Sequence, residues 1–84
     1  MFKWICTKMY VINDYGLVRI VREGDPFTKA YDIVVEFRET AESDWQFYHG
    51  FNTLSDDYAY TNAREAAGRC IKKLAAKFAS KHDT

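Results

Sequence analysis

The chain has 84 residues, a formal net charge of zero and a hydrophobic fraction of 48%, values that predict one globular domain over residues 1–84. They exclude a disordered or collagen-like chain and a basic footprint spread over the whole domain, as many nucleic-acid-binding domains have. The charge is segregated, because residues 1–60 carry six basic and ten acidic side chains, whereas residues 61–84 carry six basic and two acidic ones. Such a segregation of charge guides the approach and orientation of charged partners.

Two strands and a tight turn are predicted in the first quarter of the chain. Residues 2–12 are rich in aromatic and β-branched side chains, which favour a strand. Asn13 and Asp14 favour a turn, and Gly16 supplies the left-handed conformation of a short hairpin with a bulge. A second strand is predicted over residues 17–22.

Two more strands are predicted before residue 52. Residues 30–39 alternate most clearly, which predicts one buried face and one largely solvated face. The predicted buried face carries Tyr31, Ile33, Val35 and Phe37, and the solvated one carries Asp32, Val34, Glu36 and Arg38. In the fourth strand, residues 45–51, a single face is predicted to carry Trp45, Phe47, His49 and Phe51.

Residues 61–81 change to a helical period and predict one amphipathic helix. Asn62 is expected to cap its start, and Glu65 completes an approximate capping box. The helix is expected to dock through Ala67, Ile71, Leu74 and Phe78. The predicted fold class is therefore α+β, with a four-strand antiparallel meander followed by one long C-terminal helix packed on one sheet face.

No catalytic, metal-binding or cofactor motif appears in the sequence, so we expect neither enzyme activity nor a cofactor or metal. Cys6 and Cys70 form no C-x-x-C pair, and buried free thiols are expected rather than a zinc site or a disulfide. His49 lies on an apolar strand face, which is more typical of a packed histidine than of a general base. No segment approaches the roughly 18 apolar residues of a membrane helix, and the first residues do not match a signal peptide. We expect a cytoplasmic protein without a membrane partner.

A basic ridge is predicted on the outer side of the helix. It consists of Arg69, Lys72, Lys73, Lys77 and Lys81. A solvated face is the simpler interpretation, and a phosphate-binding ridge is the alternative. The stretch TNAREAAGRCIKKLAAKF resembles the final helix of double-stranded-RNA-binding domains, which also follows a three-strand sheet. That family's basic cluster at the helix start is replaced here by NAREAAGR, and its first helix is not predicted.

One helix, about 10 Å across, cannot cover a sheet some 15–20 Å wide. Aromatic side chains are therefore expected to face solvent, a second subunit or a partner, which is typical of interfaces. The predicted acidic and aromatic partner surface consists of Tyr58, Asp56, Asp57, Glu36, Glu39 and Tyr48. Within SDDYAYTNAR, Tyr60 is expected to staple the helix start, and Tyr58 is expected to contact the partner.

The chain resembles the small inhibitors encoded by bacteriophages, and the anti-CRISPR proteins are a group of this kind. The resemblance lies in one small domain with a sheet, one helix, many aromatic residues, segregated charge and no catalytic motif. The resemblance implies a phage origin, action in the cytoplasm of an infected host, and stoichiometric binding to a protein or nucleoprotein complex. Two alternatives are a nucleic-acid-binding module that uses the basic ridge and a small homodimeric structural or regulatory protein.

Overall fold

The computed structural model describes residues 9–82, and side-chain burial is described through residue 79. The elements are β1 (Met9–Asp14), β2 (Val18–Glu23), β3 (Ile33–Phe37), β4 (Gln46–Phe51) and α1 (Ala59–His82). The strands pair in the order β1-β2-β3-β4, each antiparallel to the next. The predicted fold class is confirmed: a four-strand antiparallel meander is followed by one helix that packs on a single sheet face.

The first hairpin follows the chemistry of its turn. Gly16 has a φ of 91°, which favours glycine, and the Asp14 side chain accepts a hydrogen bond from the Gly16 N–H at 2.8 Å. A register shift between Val11 and Asn13 marks a bulge in β1. Of the strand predicted over residues 2–12, the segment 2–8 lies outside the described residues, and β1 runs two residues further than predicted.

The core lies between α1 and the sheet. Its buried members are Val18, Ile20, Ile33, Val35, Ala59, Ala63, Ala66, Ala67, Cys70 and Leu74. Alanine dominates the helix side, and a short side chain lets the two backbones approach closely. The α1 backbone lies over β2, β3 and β4, and the Tyr60 hydroxyl reaches β1 by donating to Asn13 Oδ1. Ile71, predicted to be core, is instead 38% exposed at the border of this interface.

The second face of β3 differs from its prediction, because its first two residues are buried rather than solvated. Asp32 is fully buried and Val34 is 7% exposed. The Asp32 carboxylate accepts hydrogen bonds from the backbone N–H and the hydroxyl of Thr53, at 2.8 and 2.7 Å. Val34 lies opposite Val21, which is also buried. A buried polar group with its hydrogen bonds satisfied looks the same in the sequence as an exposed one.

A bulge in β4 breaks the single face predicted for that strand. His49 lies opposite Val35 and Phe47 lies opposite Glu36, so Tyr48 is the extra residue. Phe47 therefore lies on the sheet face away from α1, while His49 lies on the helix side, where its ring stacks on Phe51.

Tyr48 was expected to face solvent or a partner, and this expectation is wrong. It packs against the core, with its ring edge-on to Phe37 at 6.3 Å between centroids. The bulge brings Tyr48 to the helix side, a change that strict alternation along the strand does not anticipate.

The helix starts before the predicted cap. The first α-helical hydrogen bond runs from the Asn62 N–H to the Tyr58 carbonyl, at 2.8 Å. Asp56 organises this start, since its Oδ1 accepts from the Tyr58 N–H at 2.9 Å and its Oδ2 from Asn62 Nδ2 at 2.8 Å. The prediction that Asn62 caps the helix is wrong, because Asp56 binds the entering turn and Asn62 lies inside the helix.

Candidate interaction surface

Two connecting segments lie at the same end of the sheet. The β2–β3 loop, residues 24–32, follows the end of β2, and the β4–α1 turn, residues 52–58, follows the end of β4. The antiparallel register sets Arg22 opposite Ile33 and Ile33 opposite Phe51. The two segments are therefore neighbours, and together they are called the loop end below.

Two polar side chains fasten the segments of the loop end to each other. Asn52 Nδ2 donates to the carbonyl oxygens of Pro26 and Lys29, at 3.1 and 3.0 Å. The buried Asp32 carboxylate holds Thr53 through the two hydrogen bonds described above. Charge-assisted hydrogen bonds to a buried carboxylate are among the stronger ones in proteins. The loop end is thus fixed as a unit on the sheet.

One local geometry occurs three times in the loop end. An Asp or Asn side-chain oxygen accepts a hydrogen bond from the backbone N–H two residues later, which is an Asx turn. The pairs are Asp25 with Phe27 at 2.9 Å, Asn52 with Leu54 at 2.8 Å and Asp56 with Tyr58 at 2.9 Å. In each turn the residue whose N–H is bound carries a large apolar side chain. The backbone that carries these side chains is therefore held in place.

These three side chains are exposed. The exposed fraction is 81% for Phe27, 54% for Leu54 and 70% for Tyr58. Scattered exposed apolar residues are ordinary on protein surfaces. Here, however, three of them share one end of the sheet and one supporting geometry. A fixed backbone lowers the entropy lost when such side chains meet a partner, and aromatic side chains are enriched at the centres of interfaces.

The structure brings together only three of the six residues predicted for the partner surface. Asp56, Asp57 and Tyr58 all lie in the loop end. Asp57 and Tyr58 are exposed, whereas both Asp56 oxygens bind the start of α1. Asp56 is thus a structural residue as well as a surface acid.

The other three predicted partner residues lie elsewhere. Glu36, on the sheet face away from α1, accepts from Arg19 Nε at 2.8 Å. Glu39 pairs with Lys77 across the helix side, and Tyr48 packs on the core. A single acidic and aromatic surface of the predicted composition therefore does not form.

The basic ridge is partly engaged within the molecule. Lys77 pairs with Glu39, and Lys73 Nζ lies 5.5 Å from the centroid of the Tyr48 ring. Arg69 and Lys72 are exposed, and the side chain of Lys81 lies outside the described part of the chain. The ridge thus presents fewer free cations than its sequence spacing predicts.

Sequence reasoning missed Phe27, Leu54 and the fastening residue Asn52. A signal was present, because D-P-F, N-T-L and D-D-Y each place an Asx residue two positions before a large apolar one. A repeated Asx-x-apolar pattern in polar connecting segments predicts apolar side chains on supported turns. The fastening by Asn52 joins residues 23 and 26 positions apart and has no local signal.

Among residues 9–82, no helix is both long enough and apolar enough to cross a lipid bilayer. The same described residues bring no three His, Cys, Asp or Glu side chains together in a way that could hold a metal ion.

Comparisons with known proteins give no relative. No family model, no curated protein and no solved structure matches the chain.

Proposed function

We propose that this chain is a non-enzymatic binding protein that acts by surface contact with a protein or nucleoprotein complex, and that the loop end makes the contact. The observation that carries the proposal is the repeated Asx turn, which holds Phe27, Leu54 and Tyr58 in solvent on a fixed backbone. Rigid aromatic side chains bring a large contact area at a small entropy cost.

The charge around these side chains favours a basic partner. Asp57 is exposed beside Tyr58, and residues 1–60, which include the whole loop end, carry more acidic than basic side chains. Complementary charge speeds association and suppresses wrong partners. A surface that binds nucleic acid through Lys and Arg has this complementarity. The charge complementarity supports the inhibitor interpretation, in which the chain occupies such a surface on a defence complex, as an inhibitor of the anti-CRISPR kind would.

Quantitative affinity capture from bacterial lysate tests the contact. The loop-end variant is Phe27→Ala with Tyr58→Ala, and the matched control is Tyr10→Ala with Ile71→Ala, which removes exposed apolar side chains elsewhere. We expect wild type and control to retain the same partner and the loop-end variant to lose it at least tenfold, the effect of about 1.4 kcal/mol. Equal retention by the loop-end variant would contradict the proposal.

A second experiment tests the inhibitor interpretation. The purified chain is added to guide-loaded CRISPR effector complexes, and binding of target DNA is measured. Inhibition that saturates at a stoichiometric ratio, and that is lost with the loop-end variant, would support it. Unchanged DNA binding over a panel of effector types would remove the anti-CRISPR assignment, and the capture experiment would still decide whether the loop end binds a protein.

The exposed Arg69 and Lys72 keep the nucleic-acid alternative as a second proposal. Its test is fluorescence anisotropy with mixed DNA and RNA oligonucleotides at several salt concentrations. Binding that weakens steeply with salt, and that is lost in Arg69→Glu with Lys72→Glu, would favour the ridge, since phosphate contacts release counterions. Absence of binding at low salt would reject it.

A further inference from the structure

A pocket of about 320 Å³ lies on the sheet face away from α1, where it adjoins the loop end through Lys29, Ala30 and Tyr31. Its lining includes Val34, Tyr31, Phe47, Glu23, Glu36 and Lys29. The volume lies at the lower end of the range for small-ligand sites, about 300–1,000 Å³. The pocket thus combines an apolar base, two aromatic rings and three charged groups.

Two backbone features place the aromatic rings in this pocket. Gly50 lies opposite the pocket residue Val34, and a Cβ on Gly50 would collide with the Tyr31 ring. The absent side chain therefore lets Tyr31 lie on the sheet. The Tyr48 bulge turns Phe47 to the same face, and the two rings stand 5.7 Å apart at 35°. Both rings are about half exposed, at 47% for Tyr31 and 57% for Phe47.

The carboxylate of the lining that is open to exchange of its cation is Glu23. Glu23 and Glu36 contribute two carboxylates, and Lys29 contributes one ammonium. Arg19 occupies one Glu36 oxygen at 2.8 Å. The Lys29 ammonium lies 4.0 Å from Glu23, and both side chains are partly exposed, which makes this a weak ion pair. Lys29 is thus a cation of the chain itself that lies beside Glu23 and is held only weakly.

We propose that this pocket binds an alkylammonium or guanidinium group, such as the end of a lysine or arginine side chain, in the place of Lys29. The rings of Tyr31 and Phe47 attract a cation through their faces and cover its apolar stem. Glu23 supplies the opposite charge. The pocket shares Lys29, Ala30 and Tyr31 with the loop end, but none of the proposed contact side chains Phe27, Leu54 and Tyr58 lines it, so substitutions can remove one contact without the other.

The test is an NMR titration of the full chain with three probes. N-acetyl-arginine methylamide and N-acetyl-lysine methylamide carry the two cations. N-acetyl-norleucine methylamide is the control, because its side chain is apolar and carries no charge. We expect saturable shifts of the Gly50 amide and of the Tyr31 and Phe47 ring signals with either cation, and none with the neutral probe. Equal shifts with the norleucine probe, or no saturation with either cation, would overturn the proposal.

Four variants sharpen this result. Phe47→Ala and Glu23→Gln are each expected to weaken cation binding about three- to fivefold, the usual weight of an exposed cation–aromatic contact for Phe47 and of an exposed ion pair at its upper end for Glu23. Lys29→Met keeps the side-chain stem, removes the competing ammonium and is expected to strengthen binding. Tyr10→Ala, which removes an exposed ring outside the pocket lining, is the control and leaves it unchanged. Unchanged affinity in both Glu23→Gln and Lys29→Met would show that charge does not select the ligand and would overturn the proposal.

The same titration with free agmatine and with an arginine-containing peptide distinguishes a metabolite from a protein side chain as the source of the cation. Tighter binding of agmatine assigns a free amine, and tighter binding of the peptide assigns a side chain. Either result supports the cation site. Failure of both, with the loop-end capture intact, would remove this site and leave the proposed function standing.

Discussion

Small apolar side chains close the sheet face under α1, whereas large ones stand in solvent at the loop end. The helix contributes Ala59, Ala63, Ala66 and Ala67 to the interface, each at most 2% exposed. At the loop end Phe27 is 81% exposed. No aromatic side chain belongs to the fully buried set of the described residues. The buried core of the described residues is therefore made mainly of alanine, valine and isoleucine, with Cys70 and Leu74, and the aromatic side chains that reach it pack around it only partly buried.

The two regions also differ in what holds them. The helix interface depends on burial, at roughly 25 cal/mol for each Å² of apolar surface removed from water. The loop end depends on hydrogen bonds that Asn52 Nδ2 donates and that the Asp32 carboxylate and the Asx side-chain oxygens accept. Substitutions that damage one region should therefore spare the other.

The largest expected effect is in the helix interface. Ile20 is fully buried, and Ile20→Ala should lower the free energy of unfolding by about 2–5 kcal/mol because it opens a cavity. The matched Ile71→Ala, at a site 38% exposed, should cost less than about 1 kcal/mol. Chemical denaturation measures both. If Ile20→Ala does not fold, Ile20→Val should lose about 0.5–1.5 kcal/mol, and equal losses at the two positions would contradict the assigned core.

This contrast also shows what the sequence could supply. The spacing of hydrophobic residues correctly predicted four strands, the helix and the fold class. Burial of one face makes hydrophobic residues recur every 2 residues in a strand and every 3.6 residues in a helix. This spacing failed at Tyr48, where a bulge changes the face, and at Asp32, where burial depends on Thr53, 21 positions away. The candidate site was predicted only in part, since Tyr58 stood out by composition and Phe27 did not.

The second prediction concerns the support of the loop end. Asp32→Ala leaves the Thr53 N–H and hydroxyl without their acceptor and should cost about 1–3 kcal/mol. Asp57→Ala, at an exposed acid in the same segment, should change stability by less than about 0.5 kcal/mol. Thermal and chemical unfolding of the two variants give the comparison. A loss at Asp32 no larger than that at Asp57 would mean that the loop end does not depend on this carboxylate.

The third prediction uses pH to probe the helix interface. Burial raises the pKa of the Cys70 thiol above its ordinary value of 9.0, and Lys73 offsets part of this rise. The folded state then keeps a proton that the unfolded state releases, so stability is retained below about pH 9 and falls as pH rises through the folded pKa. The slope for one thiol is at most about 1.4 kcal/mol per pH unit.

Denaturation from pH 8 to pH 10.5 in a Cys6→Ser background measures this slope with one thiol remaining. The reference is the same chain with Cys70→Ala, which keeps the small apolar side chain and removes the titrating group. We expect the decline above pH 9 to be shallower in the reference. Identical pH profiles would contradict a buried, protonated Cys70.

The smallest expected change in stability concerns Tyr58 and Tyr60, which lie two positions apart where the loop end meets the helix interface. Tyr60 is 38% exposed, donates from its hydroxyl to Asn13 on β1, and has the Arg64 guanidinium 5.3 Å from its ring centroid. Tyr58 is 70% exposed, and the described contact that fixes it is made by its backbone N–H. Tyr60 therefore ties α1 to the strand that the helix backbone does not cover, whereas the Tyr58 ring is free to meet a partner.

Replacing each tyrosine by phenylalanine removes one hydroxyl and nothing else. Tyr60→Phe should cost about 0.5–1.5 kcal/mol, the net value of a hydrogen bond, and Tyr58→Phe should cost almost nothing. In a double-mutant cycle, Asn13→Ala should add little to Tyr60→Phe, because both changes remove the same bond. Tyr58→Ala should leave unfolding unchanged and weaken partner capture severalfold, while Tyr60→Phe leaves capture intact. Equal destabilisation by Tyr58→Ala and Tyr60→Ala would place both rings in the folded core and would move the search for the partner surface to the sheet face away from α1.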